Sequence, residues 1–304
     1  MNIKVKALPF FVQTLTPRLL RLVLFVPLLF LACTTTSTDT TEPVLTETTI
    51  SPADSPIEVR QVSGPTQIAF YAFSKTIAEA TVTCFITGQY IHAEPEKPEP
   101  HGLSKNEKDP LRVVRPIDPR QQYSFSVMYT SHLGSNGGYP DNDYHYGLPF
   151  DDGRSVRISQ ASRGPTHLAG SGSEHAVDFE LPIGSNVYAA REGKVIAVKD
   201  DSNTGGPDLK FRDLSNHIVI KHEDGTYAEY QHLKLHGVLV KPSQQVSKNQ
   251  RIGYSGNTGS TAGPHLHFCV FYFNDKGKQI SVVPEFDTAK GLYLSPRAGD
   301  FVCK

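Results

Sequence analysis

Two histidines two residues apart, His265 and His267, follow the Gly/Ser/Thr run Ser255–Gly263. In an extended segment alternate side chains share a face, so both imidazoles point one way while Leu266 and Phe268 point to the opposite, core side. A lone histidine is more often a satisfied structural residue, but two on one strand face suit a metal ion. Asp178 lies in an equally apolar setting, AVDFELP. A carboxylate there is costly unless paired or metal-bound, the plain alternative being a salt-bridged or turn-capping aspartate. Two histidines could join it: His175 three residues earlier and His167 eleven earlier. An offset of three on one strand places His175 opposite Asp178, whereas the run LAGSGS after His167 could fold that residue back. Periodicity disfavours His175 without selecting His167.

A third segment, Tyr230-Gln231-His232-Leu233, follows the hairpin signal Asp224-Gly225. His222-Glu223 begins like the helical H-E-x-x-H pattern, but Thr226 stands where the second histidine is required, and the segment reads as a turn. Of 12 histidines, eight lie from His167 to His267. His92, His101, His132 and His145 fall in polar or loop segments, and His217, His222 and His236 read as surface residues or as supports behind the site. Cys269 shares the face of His265 and His267 and is a minor candidate ligand.

The elements that must position these residues are strands. Gly 24 and Pro 22 among 304 residues suit a turn-rich β protein. Gln67–Phe73, Ala80–Ile86 and Tyr123–Tyr129 are β-branched, aromatic and strand-length, with a charged Pro-rich loop from His92 to Pro110 between them. A β-sandwich-like domain over 57–135 is expected, with no cluster suited to chemistry. From 136 to 304 a second β domain is expected. Its strands include Val187–Ala190, Lys194–Val198, His217–His222, Tyr227–Tyr230 and His265–Phe273. No βαβ alternation is visible, so a parallel sheet is not expected.

Ahead of both domains, Lys4, Lys6, Arg18 and Arg21 precede the first acid, Asp39, and an 11-residue apolar run spans Leu22–Ala32. The run is short for a membrane span and reads as a secretory signal peptide over 1–32. Leu31-Ala32-Cys33 resembles the lipobox of bacterial lipoproteins, which implies acylation of Cys33 and a lipid anchor; Phe30 departs from that pattern. Residues 33–56 are rich in Thr, lack Lys and Arg, and are expected to be an extended tether. Thr34 after the cysteine leans towards the outer membrane. Without the leader, 26 basic residues face 31 acidic ones, a formal charge of −5. That gives no electrostatic reason to bind nucleic acid. With Cys33 acylated, Cys84, Cys269 and Cys303 permit at most one disulfide.

The segments SEHAVDFELPIGSNVYAAREGKV, NHIVIKHEDGTYAEYQHL and RIGYSGNTGSTAGPHLHF resemble the M23 peptidases, the lysostaphin-like or LytM-type zinc metallopeptidases. The resemblance runs from about Gly147 to Phe273. It implies a LytM-type antiparallel β-sheet domain, one Zn2+ per chain, and hydrolysis of peptide cross-links in peptidoglycan stem peptides at the cell envelope. Asp178 and His267 would be zinc ligands. The family's first histidine usually stands four residues before the aspartate, where this chain has Glu174. A similar subfamily has Y-A-x-D-F with that histidine set back beyond a longer loop, which puts His175 in the tyrosine's place and implies His167 as the third ligand. His232 and His265 would be the non-ligand catalytic pair, and Asn216 matches a family position on the strand before His232. The alternative is a non-catalytic M23-like module that binds peptidoglycan or regulates cell-wall hydrolases; such modules typically lack metal residues that are all present here.

Overall fold

A computed structural model describes residues 26–27, 45–51, 57–75, 79–103 and 109–304. Cys33 and all of the expected signal peptide except Val26–Pro27 lie outside the described residues. No helix among the described residues is long and apolar enough to cross a membrane. The chain divides into two units, with the boundary between Leu133 and Gly134.

The first unit is a sandwich of two sheets. One has the order Thr46–Thr49, Ile57–Ser63, Ile68–Ser74, Arg112–Pro116, Ile91–Glu94; the other has Val26–Pro27, Ser124–Leu133, Ala80–Gln89, Pro100–Leu103. Alternating burial along Ile57–Ser63 and Ser124–Leu133 marks their inward faces. Ile57, Val59, Phe70 and Ala72 from one sheet share a core with Val82, Cys84, Val127 and Tyr129 from the other. Two expectations change here. Thr46–Thr49, inside the expected tether, pairs with Arg60–Ser63 while its four residues stay exposed, since β-branched threonines fit an edge strand without burying anything. The charged loop also holds two strands, Ile91–Glu94 and Pro100–Leu103, because a sheet edge accepts proline at a strand's start.

The second unit is built on a largely antiparallel sheet. Its strands are β1 (Ser155–Gln160), β2 (Val177–Phe179), β3 (Gly193–Lys199), β4 (His217–Lys221), β5 (Tyr227–Gln231), β6 (Gln245–Val246), β7 (Leu266–Phe273), β8 (Gln279–Val282) and β9 (Phe301–Cys303). Their order is β6-β3-β4-β5-β7-β2-β1-β9, with β8 pairing β7 beyond β2. On one face Ile218, Ile220, Ala228, Tyr230, Leu266, Phe268, Val270, Val177 and Phe179 form the core. The central β7 is covered on both faces, which is why its sequence is nearly all apolar. Short parallel pairs, Gly205–Gly206 with Gly259–Ser260 and His145–Gly147 with Glu285–Asp287, lie outside this sheet and involve no βαβ unit.

Candidate metal centre

On the face opposite the core, one in-register row crosses five strands. His217 on β4 pairs with Gln231 on β5, Gln231 with His267 on β7, His267 with Asp178 on β2, and Asp178 with Gln160 on β1. Directly paired residues share a face, so the row concentrates polar groups at one level of the sheet. His267 and Asp178 meet within it, His267 Nδ1 lying 2.7 Å from Asp178 Oδ1.

His167 arrives from a loop. Successive turns, Gly164 N–H to Ala161 O and His167 N–H to Gly164 O, fold it over β2. Its Nδ1 is 3.1 Å from the Ala161 carbonyl. A carbonyl only accepts, so Nδ1 carries the proton and the Nε2 lone pair faces inward. Nε2 is buried without a hydrogen bond and lies 3.3 Å from Asp178 Oδ1. One ligand atom each from His167, Asp178 and His267 fall within 4.8 Å of one another, all three residues buried. Burial alone would raise the Asp178 carboxyl, yet the His267 imidazole beside it holds it well below the usual carboxylate range. An inward lone pair beside an ionised carboxylate, out of water, fits a cation between them. Two imidazoles and one carboxylate are the donor set of a metal site with an open fourth position.

His175 goes elsewhere. It stands on the turn before β2, and its Nδ1 contacts Ser162 Oγ at 3.1 Å. Burial lowers its pKa below the ordinary value. Cys269 shares the site face, but its Sγ points to the Gly172 carbonyl at 3.7 Å. No disulfide joins Cys84, Cys269 and Cys303.

A second histidine pair adjoins the cluster. The rings of His232 and His265 are 4.6 Å apart between centroids, and His232 is 6.0 Å from His267. His265 Nδ1 donates to Gly263 O at 2.8 Å, and its Nε2 reaches to 3.7 Å from Asp178 Oδ2. His232 Nδ1 donates to Thr258 O at 2.7 Å, with Ser215 Oγ at 3.3 Å. In both rings the carbonyl fixes the proton on Nδ1 and leaves the lone pair on Nε2. His232 has φ +64°, a left-handed conformation uncommon for a side-chain-bearing residue. Asn216 holds that geometry from behind: its amide donates to Leu233 O and Ser202 O, and its N–H donates to Thr258 Oγ1.

Sequence reasoning missed Ser215, Thr258 and Gln160. The first two carry no chemical signature of their own and matter only through contacts between distant segments. Gln160, whose Nε2 donates to Asp178 Oδ2 at 3.0 Å, was hidden by alternation: Val156 and Ile158 are core residues, and period two assigns Gln160 to their face.

Residues 172–281 match the model of peptidase family M23. That span contains Asp178, His232, His265 and His267, and His167 lies just before it. The peptidoglycan DD-endopeptidase ShyA of Vibrio cholerae is 39% identical over 94 residues, covering 31% of this chain and 19% of that protein. Lysostaphin of Staphylococcus simulans is 37% identical over 107 residues, covering 34% of this chain and 20% of that protein. The chain thus spans about a fifth of the length of these curated relatives. Among solved structures, the catalytic domain of lysostaphin from Staphylococcus simulans is 28% identical, covers 45% of this chain and 87% of that chain, and has a TM-score of 0.28.

Proposed function

We propose, from the peptidase family M23 domain at residues 172–281, that the chain is a zinc metalloendopeptidase hydrolysing peptide cross-links of bacterial peptidoglycan. The observation that carries this reading is the His167–Asp178–His267 cluster with the His232–His265 pair beside it. One of the relatives named above is a peptidoglycan DD-endopeptidase, which favours a peptidoglycan substrate.

His167, Asp178 and His267 would hold the zinc. Two nitrogens and one oxygen leave a coordination position open. Bound zinc supplies Lewis acidity to a scissile carbonyl and lowers the pKa of a water. The protein's own part is proton transfer. His265 Nε2, aimed at the cluster, takes the proton of the attacking water and returns it to the leaving amine. His232, braced by Thr258 and Ser215, stabilises the developing oxyanion once it carries a proton. The two rings are close enough to exchange these roles. We place the protein in the cell envelope, exported by its leader and anchored through lipid on Cys33.

The test is mass spectrometry of products from purified peptidoglycan. Zinc-loaded protein is expected to release cleaved stem peptides and to stop on chelation. His232→Ala should keep its zinc and lose about 100-fold or more of activity. A metal-replete protein that releases nothing overturns the enzyme reading, and loss of metal in His232→Ala would make that residue a ligand instead.

A further inference from the structure

We infer that Gln160 is a positioning residue that restricts Asp178 to one metal-binding oxygen and ties that carboxylate to the turn carrying His167. The inference rests on the cluster being a metal centre and goes beyond it by assigning the geometry to a side chain outside the ligand set.

The direction of the Gln160 amide is settled by its partners. Thr166 N–H lies 3.1 Å and Thr166 Oγ1 3.0 Å from Gln160 Oε1. A backbone N–H can only donate, so the oxygen of the amide faces Thr166 and its NH2 faces Asp178. The NH2 then donates to Asp178 Oδ2 at 3.0 Å. His167 Nε2 and His267 Nδ1 both approach the other oxygen, Oδ1. The two carboxylate oxygens are thereby given different work.

The backbone is built for this contact. Ile158 pairs with Phe179, yet Gln160 rather than Ser159 pairs with Asp178, so β1 carries one extra residue at this point. Such a bulge turns the following side chain to the other face and is a way of aiming a residue at a site. Gly164 makes room for the amide: a Cβ there would sit 3.0 Å from Gln160 Oε1 and 3.1 Å from Ala161 O. A single side chain thus links residue 166, next to ligand His167, with ligand Asp178.

The chemical consequence concerns the open position. A carboxylate that brought both oxygens to the metal would fill the place a water needs. An N–H held on Oδ2 opposes that, and partners behind a ligand commonly set metal affinity.

The experiment compares full-length wild type, Gln160→Met and Gln160→Glu. Methionine keeps length and removes both contacts. Glutamate still accepts from Thr166 but has no N–H for Asp178. Zinc affinity is read by chelator competition at about pH 8, coordination by the visible spectrum of the cobalt(II)-substituted protein, and folding by melting of metal-free protein. Both variants are expected to bind zinc about 10- to 100-fold more weakly. Both should also show the weaker cobalt absorption of a higher coordination number. If Gln160→Glu matches wild type in affinity and cobalt spectrum, Gln160 only braces the loop and the inference is overturned. If Gln160→Met does not fold, Gln160→Glu decides alone. A wild-type protein that binds no zinc refutes the metal centre itself, a distinct outcome.

Discussion

His167 and His175 are eight residues apart, and their chemistry is divided by where their ring nitrogens point. His167 turns Nδ1 to a carbonyl and Nε2 to Asp178, while His175 turns Nδ1 to Ser162 Oγ. His167→Ala should therefore abolish stoichiometric zinc, whereas His175→Ala should leave metal content and affinity unchanged; elemental analysis after dialysis measures both. The reverse pattern would reassign the third ligand. His265, His267 and Asp178 were legible as a group because strand periodicity and the cost of burying a carboxylate both act locally. Gln160 was not legible, because one extra residue in β1 inverts the face that alternation assigns to it.

At the scale of elements, the setting of His232 depends on a short parallel pair. Gly205 and Gly206 run beside Gly259 and Ser260. Gly259 has φ +82°, and a Cβ there would lie 2.5 Å from Ser215 Cβ and 2.7 Å from Ser215 Cα. Ser215 in turn accepts the His232 N–H, and Thr258 next to Gly259 accepts from its ring. Gly259→Ala forces these segments apart. If the proposed function holds, the expected result is retained zinc, at least about a 10-fold fall in peptidoglycan hydrolysis, and about 1–3 kcal/mol lower stability in urea. Unchanged turnover would show that the pair does not set the His232 geometry. The strands β4, β5 and β7 were readable from their β-branched and aromatic runs, but the glycine pair was not. Glycines in a loop announce flexibility, and only the close approach of the two segments shows what these are for.

At the scale of the whole molecule, stability carries a pH dependence that originates away from the candidate site. His222 is buried, its Nδ1 donates to Glu192 O at 2.7 Å, and its Nε2 has no hydrogen bond. Burial pushes its pKa down from 6.5 to about 4. The unfolded chain then binds a proton below about 6.5 that the folded chain refuses until about 4. Stability is complete above the upper value and falls as acid is added through this window, by about 2–3 kcal/mol at pH 4.5. His222→Asn keeps a donor for Glu192 O and cannot titrate. Its urea stability should change less than that of wild type between pH 7.5 and 4.5, and equal slopes would remove His222 as the cause.

The sequence alone determined the β class, the strands β3, β4, β5 and β7, the histidine excess in the second unit, and Asp178 and His267 as residues suited to a metal. Each of these follows from patterns within about ten residues, where alternation, turn chemistry and desolvation act directly. The tertiary structure decided which histidine completes the cluster, how Asp178 is oriented, and why His232 stands in a left-handed conformation. Those outcomes depend on a bulge, a folded loop and two glycine-lined approaches that join segments tens of residues apart. Contacts of that range leave no periodic trace in the chain, because each half is unremarked until packing brings the other to it.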